Sequence, residues 1–532
     1  MQQQGKLKTC APLERNMYMT GLFGQNIIFN ILSAFANYYM QSVLLIPSAI
    51  IGVILVIAQV WDAFNDPMMG TIVDKTRSKW GKCRPYLLFV PIINGVITVL
   101  CFVGIGRNYD VSQGFTGMNV AVVVFAAFIY IVWGMTYTAG DIPLWGISAL
   151  MTEDEKDRRK LQAAARIAAG IGSGVAVLAF QPVALSVGGV LRTTLNMGSA
   201  QAEKLGFILV ATAFTILGAG TFQLAGVFAR EKIKPSDKTN SLGENFKMIW
   251  NNKPFRKVLL SGTLAGPRNL TMIVALSMVT FYFSGKDGAV AMMYLALIGG
   301  GLFIGMFGAT ALTPKLLEKH SKKTLYNMSN LVEILPDLAI FGLYLISVAI
   351  NKPAGLTAIY LLVPTILLFF IKGACLGLYS AVQTTMIADC VDYEDYTNHL
   401  RPDGVFFSGQ TFMVKIGNGI SSLLYAGLCA FVGFSDVNID LFNKFIAAGG
   451  VPREAMTIGA ETLRAGAETF ALTGGQVRGF FTMMFFAVSV LPAIGSVLAL
   501  IPTRNYELTP EKLEEILGEL QQRRRVAGET EE

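Results

Sequence analysis

The sequence predicts an all-α integral membrane protein of about twelve transmembrane helices, arranged as two six-helix halves. Three observations support this prediction: 53% of the 532 residues are hydrophobic, the mean hydropathy is +0.51, and apolar runs long enough to span a bilayer recur along the chain. Only 15% of the residues are charged, against roughly 25% in a soluble domain. A soluble chain of this composition would expose large apolar patches, whereas a lipid environment accommodates them.

A bilayer-spanning helix needs roughly 20 apolar residues, and the chain holds two sets of such runs. The first set covers residues 17–45, 47–72, 86–105, 118–150, 162–190 and 205–229, and the second covers 256–284, 289–313, 324–349, 355–388, 404–433 and 479–501. The predicted domains are therefore an N-terminal bundle (1–229), a cytoplasmic linker (230–255), a C-terminal bundle (256–501) with an external insert (434–478), and a cytoplasmic tail (502–532).

Basic residues predict the orientation of the chain in the membrane. Three loops are rich in lysine and arginine, namely Asp74 to Arg84, Glu153 to Lys160 and Pro314 to Lys323, and they alternate with loops that carry few basic residues. Because cytoplasmic loops hold the excess of positive charge, the rich loops and both termini are predicted to be cytoplasmic. The net charge of +7 then reports topology, and nucleic-acid binding is not expected.

Two segments outside the spans have predictions of their own. Within the insert, Pro452 to Phe470 is predicted to form a short surface helix. The tail is predicted to be helical from Thr509 to Arg525, because Thr509 suits an N-cap and Pro510 suits the first turn. Arginines at the end of this segment suit the negative end of the helix dipole.

An ionisable group deep in a membrane helix is costly, so each one needs an explanation. In the second span, Asp62 and Asp66 are four residues apart and Asn65 lies between them, so the three oxygen-bearing side chains share one helix face. Two carboxylates that close repel each other unless a cation or a proton lies between them. The pattern favours a site for Na⁺, Li⁺ or H⁺, and the alternative is a carboxylate that caps a helix or pairs with a base.

The fourth span ends in a second polar group. Tyr137, Asp141 and Trp145 follow one another at intervals of four residues, so they fall near one helix face, and Pro143 favours a kink there. An aromatic ring beside a carboxylate suits a sugar, since the ring stacks on C–H groups and the carboxylate accepts hydroxyl protons. A packed aromatic stripe with one internal salt bridge is the alternative.

Further charges lie in other spans. Arg166 in span five and Lys415 in span eleven are the predicted counter-charges, and Gln410 and Thr411 lie within about a turn and a half of Lys415. A structural charge network between the halves is the alternative. Four more groups either line a cavity or pair among themselves: Arg268, Lys372, Glu333 and Asp337.

Several stretches at these residues resemble a known family. The run Trp61–Gly70, continued through Ile72–Pro85, and the stretches Trp133–Pro143, Ala388–Glu394 and Ser408–Lys415 are similar to motifs of the glycoside–pentoside–hexuronide:cation symporters, within the major facilitator superfamily. The resemblance extends in order through nearly the whole chain. It implies the major facilitator fold, coupling to Na⁺ or H⁺ without another cofactor, no enzymatic activity, and a monomer in the bacterial cytoplasmic membrane.

The resemblance also implies roles for individual residues. The family's cation site corresponds to Asp62, Asn65, Asp66 and Thr138, with Asp62 and Asp66 as the metal ligands if the ion is Na⁺. Its sugar-side positions correspond to Asp141, Trp145, Arg166, Gln410, Thr411 and Lys415, with Tyr137 beside them.

The chain departs from the melibiose-type members of this family at two places. Those members carry Lys-Asp after a Phe-Gly in the first helix, where the Asp holds the sugar, and this chain has Gln25 and Asn26 there. Arg268 adds a base. A more positive cavity predicts an anionic sugar, such as a uronide or a sulfosugar, with these three residues as further substrate contacts. A neutral oligosaccharide or pentoside is the alternative, and a polytopic membrane enzyme or a transporter-like sensor is a rival class.

Overall fold

The computed structural model describes residues 9–148, 150–152, 155–232, 247–248, 250–350, 354–399 and 403–526. Among these residues, eleven helices are long and apolar enough to cross a membrane, and a bent helix pair makes twelve if it counts as one span. The predicted fold class of about twelve transmembrane helices is therefore confirmed. The chain forms two compact units: unit 1 comprises Met1–Thr239, Val279–Met293 and Cys429–Val477, and unit 2 comprises Asn240–Met278, Tyr294–Leu428 and Arg478–Glu532.

The first six spans belong to unit 1. They are α1 (Pro12–Val43), α2 (Ser48–Lys75), α3 (Arg84–Val103), α4 (Met118–Ile147), α5 (Glu155–Leu195) and α6 (Ser199–Phe228). Helix α1 packs against α5 and α6, and α2 packs against α4. Tyr18, Leu22, Leu87 and Leu144 lie in the apolar core that these helices enclose.

The other six spans are α7 to α12. They are α7 (Lys253–Leu264 and Gly266–Phe283), α8 (Gly288–Leu317), α9 (Lys322–Ala349), α10 (Ile359–Asn398), α11 (Asp403–Val432) and α12 (Gly474–Thr503). In unit 2, α9 packs against α10 and α12. The two parts of α7 bend by 44° at a 3₁₀ turn, Gly266–Asn269, which contains Pro267.

Side-chain caps fix where several of these helices begin. Asn252 accepts the backbone N–H of Phe255 at 3.0 Å at the start of α7. Ser321 accepts the backbone N–H of Thr324 at 3.1 Å at the start of α9. Each cap satisfies a donor that the first helical turn would otherwise leave unpaired.

The insert between α11 and α12 differs from its prediction. Pro452–Ala455 is a four-residue helix, and the chain then forms an antiparallel pair of strands, β1 (Thr462–Ala465) and β2 (Glu468–Thr473). The predicted surface helix from Pro452 to Phe470 is therefore wrong. Glycines at positive φ before β1 (Gly459, φ 75°) and in the turn (Gly466, φ 59°) end helical geometry, and the strand pairing buries Leu463 opposite Phe470.

A polar cluster anchors the insert within unit 1. Lys286 has φ 66°, a left-handed backbone conformation that residues other than glycine rarely adopt. Its ammonium group contacts Glu203 of α6 at 2.6 Å and donates to Asn443 of the insert at 3.1 Å. Arg453 donates to the carbonyl of Tyr282 at 2.9 Å. The insert is thus held by charged side chains as well as by apolar packing.

The predicted tail helix is confirmed. It extends over Pro510–Val526, and the hydroxyl of Thr509 accepts the backbone N–H of Lys512 at 3.4 Å, as an N-cap does. Ile516 and Leu520 are buried in the core of unit 2, so this tail is part of the packed structure.

Candidate functional site

The acidic pair of α2 faces two small residues of α4. Asp66 accepts the hydroxyl of Thr138 at 3.0 Å. A Cβ added to Gly134 would lie 2.8 Å from Oδ1 of Asp62. Both pairs are four residues apart, so one helical turn of α2 lies against one helical turn of α4. The structure therefore brings Asp62, Asp66 and Thr138 together as the resemblance implied.

Asn65 lies beside this pair and is only 2% exposed. Its Nδ2 atom has no hydrogen-bond partner in the part of the chain that the structure describes. Asp62 and Asp66 are half-buried. These carboxylates and the Thr138 hydroxyl oxygen form a set of hard ligands, which suits an alkali cation or a proton better than a soft metal.

Gly134 gives a first testable prediction, because its lack of a side chain leaves the space that Asp62 occupies. Gly134→Ala places a methyl group against Oδ1 of Asp62 and must displace that carboxylate. We expect the cation concentration for half-maximal uptake to rise about tenfold, equivalent to about 1.4 kcal/mol of lost ligation. The matched control is Gly70→Ala on α2, since a Cβ there meets nothing within 4 Å. Equal cation dependence in both variants would contradict the prediction.

A second polar group of unit 1 joins α1 to α4. The side-chain amide of Gln25 donates to Oδ1 of Asp141 at 2.7 Å and also contacts the hydroxyl of Tyr137. Tyr137 donates to the same carboxylate oxygen at 3.2 Å. The ring of Tyr137 packs against that of Phe29, with 4.9 Å between the ring centroids. The aromatic ring and the carboxylate predicted for a sugar site are therefore adjacent, and Gln25 bridges them.

The polar group continues through Asn26, a predicted substrate contact, to Ser173 and Asn30, which the sequence prediction missed. Asn26 donates to Oε1 of Gln25 at 2.7 Å and accepts the hydroxyl of Ser173 on α5 at 3.2 Å. Asn30 donates to the same hydroxyl at 3.0 Å. Asn26 and Asn30 are four residues apart on α1, and this repeat of asparagine in an apolar span is the signal that could have revealed Asn30.

The other predicted sugar-side residues do not join this group through these hydrogen bonds. Trp145 lies one turn beyond Asp141 and is 37% exposed. Arg166 is exposed on α5. In unit 2, Gln410 of α11 donates to the hydroxyl of Thr384 on α10 at 3.2 Å. Thr411 and Lys415 follow on α11, exposed and half-buried respectively. Their roles as substrate contacts stay predictions.

Four charged groups are buried together in unit 2. Arg268 forms an ion pair with Glu333, and Lys372 lies 2.5 Å from Asp337; these side chains are 3%, 0%, 0% and 0% exposed. They come from α7, α9 and α10, and α9 supplies both acids. The pairing is the second of the two alternatives that the sequence left open for these residues.

The surroundings of Arg268 hold its side chain in place. Its guanidinium donates to Asn330 at 3.0 Å and lies over the ring of Tyr379 at 4.1 Å. Glu333 offsets its charge, so the prediction that Arg268 makes the cavity more positive is corrected: the two bases of this cluster are balanced by two acids. Bending of α7 at the turn that contains Pro267 places Arg268 inside unit 2.

Comparisons with known proteins identify the relatives of this chain. A profile of the family described as MFS/sugar transport protein matches residues 17–510. The inner membrane symporter YicJ of Escherichia coli (strain K12) is 24% identical over 520 residues, which cover 96% of this chain and 95% of that protein. The isoprimeverose transporter of Lactiplantibacillus pentosus is 27% identical, over 76% of this chain and 78% of that protein.

A third relative has an acidic sugar in its name. The glucuronide carrier protein homolog of Escherichia coli (strain K12) is 23% identical, over 96% of this chain and 95% of that protein. The family and its relatives are membrane transporters, which excludes the rival class of polytopic membrane enzyme. With the family profile matched through both bundles, the chain belongs to the MFS/sugar transport protein family, as its motifs predicted.

Proposed function

We propose that this protein couples the movement of a sugar across the bacterial inner membrane to that of Na⁺ or H⁺. The observation that supports coupling is the alignment of Asp62 and Asp66 with Gly134 and Thr138. Two half-buried carboxylates one turn apart repel each other, and a cation or a proton relieves that repulsion. The Thr138 hydroxyl donates a hydrogen bond to Asp66, so its lone pairs can accept a hydrogen bond or ligate a cation in turn.

Transport then follows alternating access, in which the sites open first to one side of the membrane and then to the other. The bound cation neutralises the acidic pair and favours the form that binds sugar. By linkage, the sugar raises the affinity for the cation by the same factor. The chain is oriented with its termini in the cytoplasm, as the basic loops predict.

The sugar site of unit 1 is built on Asp141 and Tyr137. A carboxylate accepts hydrogen bonds from the hydroxyls of a sugar, and an aromatic ring packs on the C–H faces of the sugar. Gln25 contacts both groups and adds an amide that donates and accepts. Arg166, which is exposed on α5, is a further proposed contact of this site.

The substrate class that we propose is an acidic sugar, such as a uronide or a sulfosugar. Gln25 and Asn26 are both neutral where the melibiose-type pattern has Lys-Asp, so the exchange leaves the net charge unchanged but removes the acid that would repel an anionic sugar. Arg166 offers the planar guanidinium that binds carboxylates and sulfonates through two hydrogen bonds. Arg268 no longer supports an acidic substrate, since Glu333 balances it. The glucuronide carrier relative favours an acidic substrate, and the isoprimeverose transporter favours the neutral alternative.

Uptake into proteoliposomes tests the proposal. We expect an imposed Na⁺ or pH gradient to drive accumulation of radiolabelled uronides, with neutral glycosides accumulated at least tenfold less. Arg166→Gln should remove this preference. Arg192→Gln on the same helix is the control, because Arg192 donates to the carbonyl of Ala447 in the insert. If wild type, Arg166→Gln and Arg192→Gln all accumulated neutral sugars as well as uronides, the acidic-sugar proposal would be overturned. If the wild-type protein took up no sugar under either gradient, symport would be overturned.

A further inference from the structure

We infer that Ser173 and Asn30 determine which sugars the site accepts, because they fix the orientation of the Gln25 amide against Asp141. Neither residue belongs to the sugar positions implied by the family motifs. The inference rests on the proposed function and deepens it. It is based on a hydrogen-bond chain that extends from Asn30 through Ser173, Asn26 and Gln25 to Asp141.

The direction of this chain is set by its charged end. An ionised carboxylate only accepts hydrogen bonds, so the NH₂ group of Gln25 must face Asp141 at 2.7 Å. The carbonyl oxygen of Gln25 then points away and accepts from the NH₂ group of Asn26 at 2.7 Å. The amide of Gln25 therefore has one orientation that satisfies both neighbours.

Backbone carbonyls also determine which way the side-chain amides of Asn26 and Asn30 face. Asn26 Nδ2 also donates to the carbonyl of Leu22 at 2.9 Å, which leaves Asn26 Oδ1 for the Ser173 hydroxyl. Asn30 Nδ2 donates to the carbonyl of Asn26 at 2.8 Å as well as to Ser173. The Ser173 hydroxyl accordingly accepts from Asn30 and donates to Asn26. Each hydrogen bond in this series from Asn30 to Asp141 is therefore donated in the direction of Asp141.

Close helix packing keeps Ser173 in register with α1. A Cβ at Gly172 would collide with the backbone carbonyl of Phe23, so α1 and α5 touch through their backbones one residue from Ser173. Ser173 therefore cannot drift away from Asn26 without separating two helices. The Ser173 hydroxyl therefore holds the side-chain amide of Asn26, and through it that of Gln25, in a defined position.

The consequence concerns the sugar. Gln25 and Tyr137 both donate to Oδ1 of Asp141, so a sugar hydroxyl that binds this oxygen competes with the Gln25 amide. The cost of displacement depends on how firmly Asn26 holds Gln25, and Ser173 and Asn30 hold Asn26. A sugar hydroxyl that replaces the amide at Asp141 leaves Gln25 to donate to Tyr137 or to an oxygen of the sugar itself, and the configuration of the sugar decides whether it offers that oxygen. Ser173 and Asn30 thus act as positioning residues for specificity.

The test compares two sugars that the wild-type protein transports and that differ in the configuration of one hydroxyl. Ser173→Ala removes the hydroxyl that holds Asn26. We expect the KM of the poorer sugar divided by the KM of the better sugar to fall about 3- to 10-fold, the size of one hydrogen bond. The maximal rates and the cation dependence should stay within twofold of wild type. Ser173→Thr keeps the hydroxyl and should restore the ratio.

Thr193→Ala on α5 is the control, since its hydroxyl donates to carbonyls of its own helix, Gly189 and Val190. A merely structural role for Ser173 would change the KM values and rates for both epimers together, and that result would overturn the inference. An unchanged ratio in Ser173→Ala with normal uptake would overturn it as well and leave the proposed function standing. Absence of sugar uptake by the wild-type protein would overturn both.

Discussion

Asp66→Asn is expected to abolish gradient-driven accumulation of sugar while leaving the protein folded. The asparagine side chain has the same shape and can still accept the Thr138 hydroxyl that lies 3.0 Å from Asp66. It lacks the charge that binds a cation, and a charged contact is worth about 1.5–3 kcal/mol, or roughly 10- to 150-fold in affinity. Asp62→Asn removes the other carboxylate and should have the same result.

Two assays separate loss of coupling from loss of folding. Accumulation against a concentration gradient should fall to equilibration in both variants, whereas exchange of labelled for unlabelled sugar at equal concentrations should continue. Asp110→Asn is the matched control: Asp110 lies in the loop between α3 and α4, where it accepts from Ser112 at 2.6 Å and Gln113 at 2.9 Å. Unchanged accumulation in both Asp62→Asn and Asp66→Asn would refute the cation site.

The helices could be predicted because a membrane imposes a simple rule on sequence. Each apolar run must satisfy its backbone internally, so a run of about 20 residues is a helix whatever surrounds it. The insert follows no such rule, and there the prediction failed. The helix that begins at Pro452 ends at Ala455, and the pairing of Leu463 with Phe470 depends on a turn at Gly466 that helical periodicity alone does not reveal.

The site could be predicted only as far as single helices determine it. The four-residue interval between Asp62 and Asp66 is enough to place both side chains on one face of α2. The contact between Gln25 and Asp141 joins residues 116 positions apart, and that between Asn26 and Ser173 joins residues 147 apart. Such contacts follow from how α1 packs against α4 and α5, which no local pattern contains.

Charge counting from sequence has the same limit. Arg268 looked like an added positive charge, because a sequence lists ionisable groups without their partners. The structure pairs it with Glu333 and pairs Lys372 with Asp337, so the cluster is neutral. A charge in a membrane span is informative about a substrate only once its counter-charge has been located.

The neutral cluster gives the prediction with the largest effect on stability. Lys372 and Asp337 are both fully buried, with Nζ of Lys372 2.5 Å from Oδ1 of Asp337 and 2.8 Å from the carbonyl of Val488. Lys372→Met leaves a buried carboxylate without its base, and the expected loss in free energy of unfolding is about 3–5 kcal/mol. Thermal unfolding in detergent should show a large fall in Tm.

The double variant Lys372→Met/Asp337→Leu provides the decisive comparison, because replacing a buried ion pair by apolar side chains is often neutral or stabilising. It should recover most of the lost stability. Lys444→Met is the control, since Lys444 is 61% exposed in its pair with Asp440 and such pairs contribute about 0–1 kcal/mol. If the double variant were as unstable as the single one, the cost would come from lost packing around α10. Recovery in the double variant would show that the uncompensated charge of Asp337 is what destabilises unit 2.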